Sequence, residues 1–226
     1  SSRIRPGEKG GLIGATGAGN SSLIHLIPRF YAPEEGSVLV DGVDVREIRF
    51  DTLRRRVAVV LQETVLFSGT VRANVAFGAP DATQEELERA AVIACADAFI
   101  RETPGGWDAP VGERGAGLSG GQRQRVAIAR AIAARPDVLI LDDATSSLDA
   151  ATEKRVIEGL QREFRDRTVL CISQKINTIR NADRIVVLEN GRILAVGTHE
   201  ELLRSNATYR TIFETQSASG DERRPA

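Results

Sequence analysis

Short, continuous apolar runs alternate with longer amphipathic segments along this chain. Val57–Leu61, Val138–Leu141 and Val169–Ile172 are rich in β-branched residues, which predicts strands that are buried on both faces. Between two of these runs, Thr152–Phe164 repeats its apolar residues with a helical period. Strands that alternate with helices form mostly parallel sheets covered on both faces, so the pattern predicts an α/β fold.

Two hairpins and one Gly-rich turn interrupt the alternation. Asp-Gly at 41–42 and Asn-Gly at 190–191 are strong two-residue turn signals, and each lies between short apolar segments. Near the N-terminus, the predicted strand Lys9–Ile13 leads through a Gly-rich turn into a helix, Ser21–Ile27, that Pro28 ends. We therefore expect a strand–turn–helix unit at the start of the fold.

The middle of the chain is mainly helical. Thr83 and Glu86 form a capping box before an Ala-rich helix, and a second helix is predicted from Gln122 to Ala134. The sequence thus divides into a core of residues 1–63 and 137–216, a helical subdomain of residues 64–136, and a flexible polar tail of residues 217–226.

Composition excludes several classes of protein. The 226 residues include 30 Lys and Arg against 31 Asp and Glu, a net charge of −1 that favours no nucleic-acid partner. No apolar run approaches the ~20 residues that a membrane-spanning helix needs. With two Cys and two His, we expect free thiols at Cys95 and Cys171 and no His-based metal site. Met is absent, so we expect a piece of a longer or processed polypeptide.

The Gly-rich turn fits the phosphate-loop pattern G-x-x-x-x-G-K-[ST] at every defined position but one. In such a loop, glycines let backbone N–H groups turn inward around phosphate oxygens at a helix N-terminus. Ser21 is placed to bind Mg²⁺, whereas Asn20 stands where the pattern has lysine. Loss of a charge-assisted hydrogen bond costs roughly 1.5–3 kcal/mol, so binding can survive this change. The candidate nucleotide-binding residues are Gly14, Ala15, Thr16, Gly17, Ala18, Gly19, Asn20, Ser21 and Ser22.

A second candidate site follows the apolar run Val138–Leu141, which ends in Asp142 and Asp143. A buried strand that delivers a carboxylate at its carboxyl end is how phosphate-loop enzymes hold Mg²⁺ opposite the Ser ligand. We therefore expect Asp142 to bind the metal together with Ser21.

The pentapeptide Leu118-Ser119-Gly120-Gly121-Gln122, followed by Arg-Gln-Arg, is the most specific feature of the chain. Here the sequence resembles the ATP-binding cassette (ABC) transporter family, whose signature is this pentapeptide. The resemblance implies a P-loop NTPase (RecA-like) core with a mostly parallel sheet. It also implies that Ser119, Gly120, Gly121 and Gln122 close on the γ-phosphate of ATP held by a second cassette.

The resemblance runs nearly end to end. It implies that Gln62 contacts Mg²⁺ and couples to a transmembrane part, and that Ser147–Asp149 crosses a dimer interface. Val111–Gly115 and Gly197–Leu203 are similar to segments of exporters, which implies a surface turn around His199. The first strands of the family's domain, with the aromatic residue that stacks on adenine, are expected to precede Ser1.

Three positions depart from the family's pattern together. Asn20 replaces a lysine, Asp143 replaces the usual glutamate beside the attacking water, and Gln174 replaces the switch histidine. Because Asp is one methylene shorter than Glu, its carboxylate falls back by roughly 1–1.5 Å. The signature itself is intact. This combination resembles the degenerate half of a heterodimeric multidrug or lipid exporter, with Asp142, Asp143 and Gln174 in the catalytic positions.

The resemblance implies an ABC-type ATPase that uses ATP and Mg²⁺ and whose own site hydrolyses poorly. Its expected partners are a second cassette with an intact site and a transmembrane domain, on the cytoplasmic side of the cell membrane. Two alternatives stay open: a catalytically dead, ATP-gated dimerisation or regulatory module, and an active homodimeric exporter ATPase in which Asn20 is an engineered or incidental replacement.

Overall fold

The computed structural model describes residues 2–15 and 17–221, and for residues 219–221 it describes the backbone alone. The strands are β1 Lys9–Gly14, β2 Leu39–Val40, β3 Val43–Asp44, β4 Val57–Val60, β5 Gly69–Thr70, β6 Pro110–Val111, β7 Val138–Asp142, β8 Thr168–Ile172, β9 Arg184–Glu189 and β10 Arg192–Gly197. The helices are α1 Asn20–His25, α2 Phe50–Arg56, α3 Val71–Ala76, α4 Gln84–Ile93, α5 Asp97–Glu102, α6 Gly120–Ala133, α7 Ala150–Glu163, α8 Ile176–Ile179, α9 His199–Ser205 and α10 Ala207–Asp221.

A six-stranded sheet in the order β10-β9-β1-β8-β7-β4 forms the centre of the fold. All neighbours pair in parallel except β10, which pairs antiparallel with β9. Strand β8 aligns Ile172 with Leu12 of β1 and with Asp142 of β7, so the carboxyl ends of these strands meet at one edge. The predicted α/β class with a mostly parallel sheet is confirmed.

Both faces of the sheet are covered. Along β7, Leu139 and Leu141 pack against helices α3 to α7, whereas Ile140 between them packs into a cluster with Ile24 and Leu53. Residues alternate between the two faces of a strand, so this division places helices on opposite sides. The continuous apolar runs in the sequence follow from this double burial.

The predicted helical region shares its core with the sheet. Helices α3 to α6 contribute to the same apolar cluster as Val60 and Leu141. Thr83 and Glu86 form the predicted capping box of α4, and α6 begins at Gly120 because Ser119 caps it. The short elements α3, α5, β5 and β6 were not predicted.

Both predicted hairpins form, and both turns use left-handed backbone. Asp41 and Gly42 have φ of 52° and 82°, and Asn190 and Gly191 have φ of 49° and 74°. These values suit the type I′ turns that match strand twist.

The last helix, which was not predicted, enters the segment predicted as a flexible tail. Helix α10 includes residues 217–221 of the segment predicted as a flexible tail, and residues 222–226 lie outside the described residues. In the described part of the chain, every helix is too short or too polar to cross a bilayer.

Candidate functional site

The Gly-rich loop joins the carboxyl end of β1 to the start of α1. Gly14 is buried, and a Cβ atom there would lie 2.6 Å from the carbonyl oxygen of Leu188, so only glycine fits. Gly17 and Gly19 have φ of 83° and 95°, a conformation that glycine adopts without strain. The loop closes with a hydrogen bond from the N–H of Ala18 to the carbonyl of Ala15, at 2.9 Å. Thr16, within this loop, lies outside the described residues.

Asn20 points back onto this loop. Its Nδ2 donates to the carbonyl of Gly14 at 3.3 Å. Its Oδ1 is buried, and no donor among the described residues reaches it. A buried amide oxygen without a hydrogen-bond partner costs roughly 1–3 kcal/mol. The neighbouring Ser22 is exposed, and its carbonyl accepts from the Tyr31 hydroxyl at 2.6 Å.

Ser21 and Asp142 lie in contact at the carboxyl edge of the sheet. The Ser21 hydroxyl donates to Oδ1 of Asp142 at 2.9 Å, and Asp142 is only 3% exposed. His25, one turn along α1, places Nε2 3.2 Å from the other carboxylate oxygen. This contact was not predicted, because the histidine fits no motif.

The donor set of the Ser21–Asp142 pair suits Mg²⁺. One hydroxyl and one carboxylate are hard oxygen ligands, and Mg²⁺ is usually held by one or two such groups together with waters and substrate phosphates. No cluster of three or more His, Cys, Asp or Glu side chains occurs among the described residues, so an all-protein metal cage is not found there. The pair fits a metal that reaches the site with a nucleotide.

Asp143 follows directly, in a constrained position. Its φ of 46° is left-handed, which Asp tolerates better than most residues, and its N–H donates to Ile172 at 3.0 Å. Burial raises the pKa of the Asp143 carboxyl, while the charge of Lys175 acts in the opposite direction. Asp143 therefore lies at the carboxyl edge of the sheet beside Asp142.

The two predicted glutamines are exposed at the same edge. Gln62 follows β4 and Gln174 follows β8. In the described part of the chain, neither side chain forms a hydrogen bond with Ser21 or Asp142. The sheet thus brings the loop, Ser21 and Asp142 into contact and leaves Gln62 and Gln174 free at the rim.

A buried acidic group beside this edge was not predicted. Glu153 of α7 accepts from the Thr145 hydroxyl at 2.7 Å, from the Thr178 hydroxyl at 2.9 Å and from Lys175 Nζ at 3.0 Å. These bonds tie the segment after β7 to the segment after β8. No sequence motif predicts them, because Glu153 and its partners come from three separate parts of the chain.

The signature segment forms the start of α6. Ser119 Oγ accepts from the N–H of Gln122 at 3.2 Å, and the Gln122 side chain accepts from the N–H of Ser119 at 2.9 Å. Ser119 is exposed, whereas a Cβ atom on Gly121 would lie 3.1 Å from the carbonyl of Ser147. Gly121 therefore lets the loop at Ser147 pack closely against the helix start.

Gln124 fixes the signature helix to the predicted interface loop. Its Nε2 donates to Ser146 Oγ at 3.2 Å, and its Oε1 accepts from the N–H of Ser147 at 2.9 Å. Leu148 is buried behind this contact, and Asp149 caps α7 by accepting from Thr152 at 2.9 Å. Ser119, Gly120, Gly121 and Ser147 thus belong to one rigid surface.

Comparisons with known proteins show the family of this chain. A family profile described as "ABC transporter" matches residues 1–146. The ATP-dependent lipid A-core flippase of Desulfotalea psychrophila is 44% identical over 214 residues, which are 95% of this chain and 37% of that protein. The flippase of the same name from Chromohalobacter salexigens is 47% identical over 94% of this chain and 37% of its own length.

A solved structure gives the same picture. The "Structure of a bacterial Atm1-family ABC exporter with ATP bound" matches with a TM-score of 0.91 and 38% identity, over 94% of this chain and 37% of that one. The chain therefore spans a little over a third of the length of these relatives. It belongs to the ABC transporter family, a family of ATPases, and corresponds to the nucleotide-binding domain of its exporters.

Proposed function

We propose that this chain is the ATP-binding domain of an exporter, and that its own site binds MgATP but hydrolyses it slowly. The observation that carries the proposal is the side chain of Asn20. It lies in the phosphate loop with its Oδ1 buried and, among the described residues, unpaired, while Ser21 and Asp142 keep their 2.9 Å contact. The loop and the metal ligands are retained, and the charged group that contacts phosphates is missing.

Two more residues support slow hydrolysis. The carboxylate of Asp143 is shorter than the usual glutamate by one methylene, and a general base needs to lie within about 2.6–3.2 Å of its proton. Gln174 can donate a hydrogen bond to a phosphate oxygen, but it cannot take up or release a proton. Three weakened groups in one site act on the same step, so we expect hydrolysis to suffer more than binding.

The chain's own residues have distinct roles in this proposal. Backbone N–H groups of Gly17 and Gly19 hold phosphate oxygens, and Ser21 and Asp142 hold Mg²⁺, which neutralises phosphate charge when bound. The exposed Ser119 and the N-terminal amides of α6 contact a nucleotide on a second cassette. The rigid contact through Gln124 presents that surface together with Ser147.

The proposed partners are a second cassette with an intact site and a transmembrane domain, with the chain on the cytoplasmic side of a membrane. The relatives named flippase and exporter support transport as the purpose of the ATP cycle. Binding of ATP would pull the cassettes together, and hydrolysis at the partner's site would let them separate.

Equilibrium binding and turnover of the chain alone test this proposal. We expect weak, Mg²⁺-dependent ATP binding with negligible ADP release, and loss of the Mg²⁺ dependence in Asp142→Asn. The exposed Asp81→Asn is the matched charge control, and it should bind as the unsubstituted chain does. A turnover number typical of ATPases, about 1 per second or more, would refute the slow site.

A further inference from the structure

Helix α10 carries an apolar stripe that ends in a glutamine. Tyr209, Ile212 and Phe213 pack with Ile176 and Ile179 of α8 in one cluster. Tyr209, Ile212 and Phe213 occupy positions i, i+3 and i+4, so the next position on that stripe, i+7, is Gln216. A polar, half-buried side chain at a core-facing position needs hydrogen-bond partners.

Gln216 finds both partners on the backbone that follows β8. Its Oε1 accepts from the N–H of Ile176 at 2.9 Å, and its Nε2 donates to the carbonyl of Gln174 at 2.6 Å. Ile176 is the first residue of α8, where backbone N–H groups lack partners within the helix. One side chain therefore caps α8 and anchors the peptide of Gln174.

The same segment is held from its other side. Lys175 reaches Glu153 of α7 at 3.0 Å, and the N–H of Lys175 donates to Ser173 Oγ at 3.0 Å. The N–H of Ser173 donates to Leu12 of β1 at 3.2 Å, two residues before the phosphate loop. The backbone of residues 173–176 is thus fixed between β1, α7 and α10, with the Gln174 side chain exposed at the sheet edge.

We propose that Gln216 is a positioning residue for Gln174, and that the seating of α10 sets how well the site distinguishes ATP from ADP. The inference rests on the proposed function, because it takes Gln174 to meet the terminal phosphate of ATP. A peptide held at both its carbonyl and the following N–H fixes the point from which the Gln174 side chain approaches the loop. Release of Gln216 would let that approach vary.

We call the two hydrogen bonds of Gln216, with the N–H of Ile176 and the carbonyl of Gln174, the clamp. Amide hydrogen exchange of the chain without nucleotide tests it. Gln216→Leu removes both bonds at similar side-chain volume, and Ile176 should exchange on the order of tenfold faster. Gln216→Glu keeps an acceptor for the N–H of Ile176, so the exchange rate of the Ile176 amide in this variant should stay near that of the unsubstituted chain. Ser217→Ala, on the next and exposed position, is the control. Unchanged exchange at Ile176 in Gln216→Leu would overturn the clamp.

Affinities for MgATP and MgADP test the positioning role. Both Gln216→Leu and Gln216→Glu lose the bond to Gln174, so both should reduce the ratio of ATP to ADP affinity, while Ser217→Ala keeps it. A ratio unchanged in Gln216→Leu, despite faster exchange at Ile176, would overturn the role. If the unsubstituted chain binds neither nucleotide, the proposed function itself fails and the positioning role with it, whereas exchange still reports on the clamp.

Discussion

Replacing Asn20 with lysine restores the charged group that the phosphate loop lacks. A hydrogen bond from a charged donor contributes roughly 1.5–3 kcal/mol, which corresponds to a 10- to 150-fold gain in ATP affinity. The substitution also removes the buried Oδ1 that no described residue pairs with. A lysine Nζ can take over the donation to the Gly14 carbonyl that Asn20 makes at 3.3 Å. We therefore expect Asn20→Lys to bind ATP tighter and to fold at least as stably.

Isothermal titration of the chain with ATP and Mg²⁺ measures the gain, and a parallel assay follows ADP release. Asn20→Gln is the matched control, since it adds length without charge and should gain less than lysine does. The advantage of lysine over glutamine should shrink as salt is added, because salt screens the charge. Turnover should stay low in both variants, since Asp143 and Gln174 are unchanged.

Two results would refute this reasoning. Equal ATP affinity in Asn20→Lys and the unsubstituted chain would show that position 20 does not face the phosphates. Brisk hydrolysis in Asn20→Lys alone would show that Asp143 and Gln174 do not limit turnover, and it would favour the homodimeric ATPase alternative.

Three further predictions concern the signature and the stability of the fold. Ser119→Arg should stop hydrolysis in a complex with the partner cassette while ATP stays bound to this chain's own loop; full-speed hydrolysis would contradict use of the signature in trans. Arg130 donates to Asn74 twice at 2.8 Å and to the carbonyl of Val65 at 3.0 Å, so Arg130→Leu, which leaves the buried Asn74 without these donors, should lower the free energy of unfolding by roughly 3 kcal/mol in urea titrations. Arg89, whose ion pair with Glu163 is exposed, is the control, and Arg89→Ala should lower the free energy of unfolding by less than about 1 kcal/mol. Equal losses in Arg130→Leu and Arg89→Ala would contradict a stabilising role for the hydrogen bonds of Arg130. Burial raises the pKa of Tyr209 from 10.0 to about 12, so the unfolded state ionises first and the free energy of unfolding falls as pH rises from 10 toward 12. Because phenylalanine does not ionise, the fall measured at pH 11 should be about 1.4 kcal/mol smaller in Tyr209→Phe than in the unsubstituted chain. Identical pH profiles of the two proteins would contradict this prediction.

Local signals predicted the sheet and its edge. The runs Val57–Leu61, Val138–Leu141 and Val169–Ile172 became β4, β7 and β8 within one residue or so, because double burial demands apolar residues at every position. Turn residues fixed both hairpins for a similar reason, since left-handed backbone favours Asn, Asp and Gly. Short helices such as α3 and α5 gave no such signal, because six residues span fewer than two turns.

Some contacts of the site could be predicted from the sequence and others could not. The pairing of Ser21 with Asp142 could be predicted, since each belongs to a motif and the parallel sheet brings both motifs to one edge. The contacts of Glu153, Arg130 and Gln216 could not, because each reaches residues that only the tertiary fold brings near. Gln216, for example, bonds residues 40 and 42 positions away. The only sequence feature that indicates these bonds is the polar Gln216 on the otherwise apolar stripe of α10.

The fate of ATP bound to this chain tests the central claim most directly. The chain with excess Mg²⁺ and less than one equivalent of ATP, quenched over minutes to hours, shows whether bound nucleotide stays intact. We predict that ATP binds and is recovered largely as ATP, because Asn20, Asp143 and Gln174 leave the site without its fast chemistry. Conversion of the bound ATP to ADP within seconds would contradict the account.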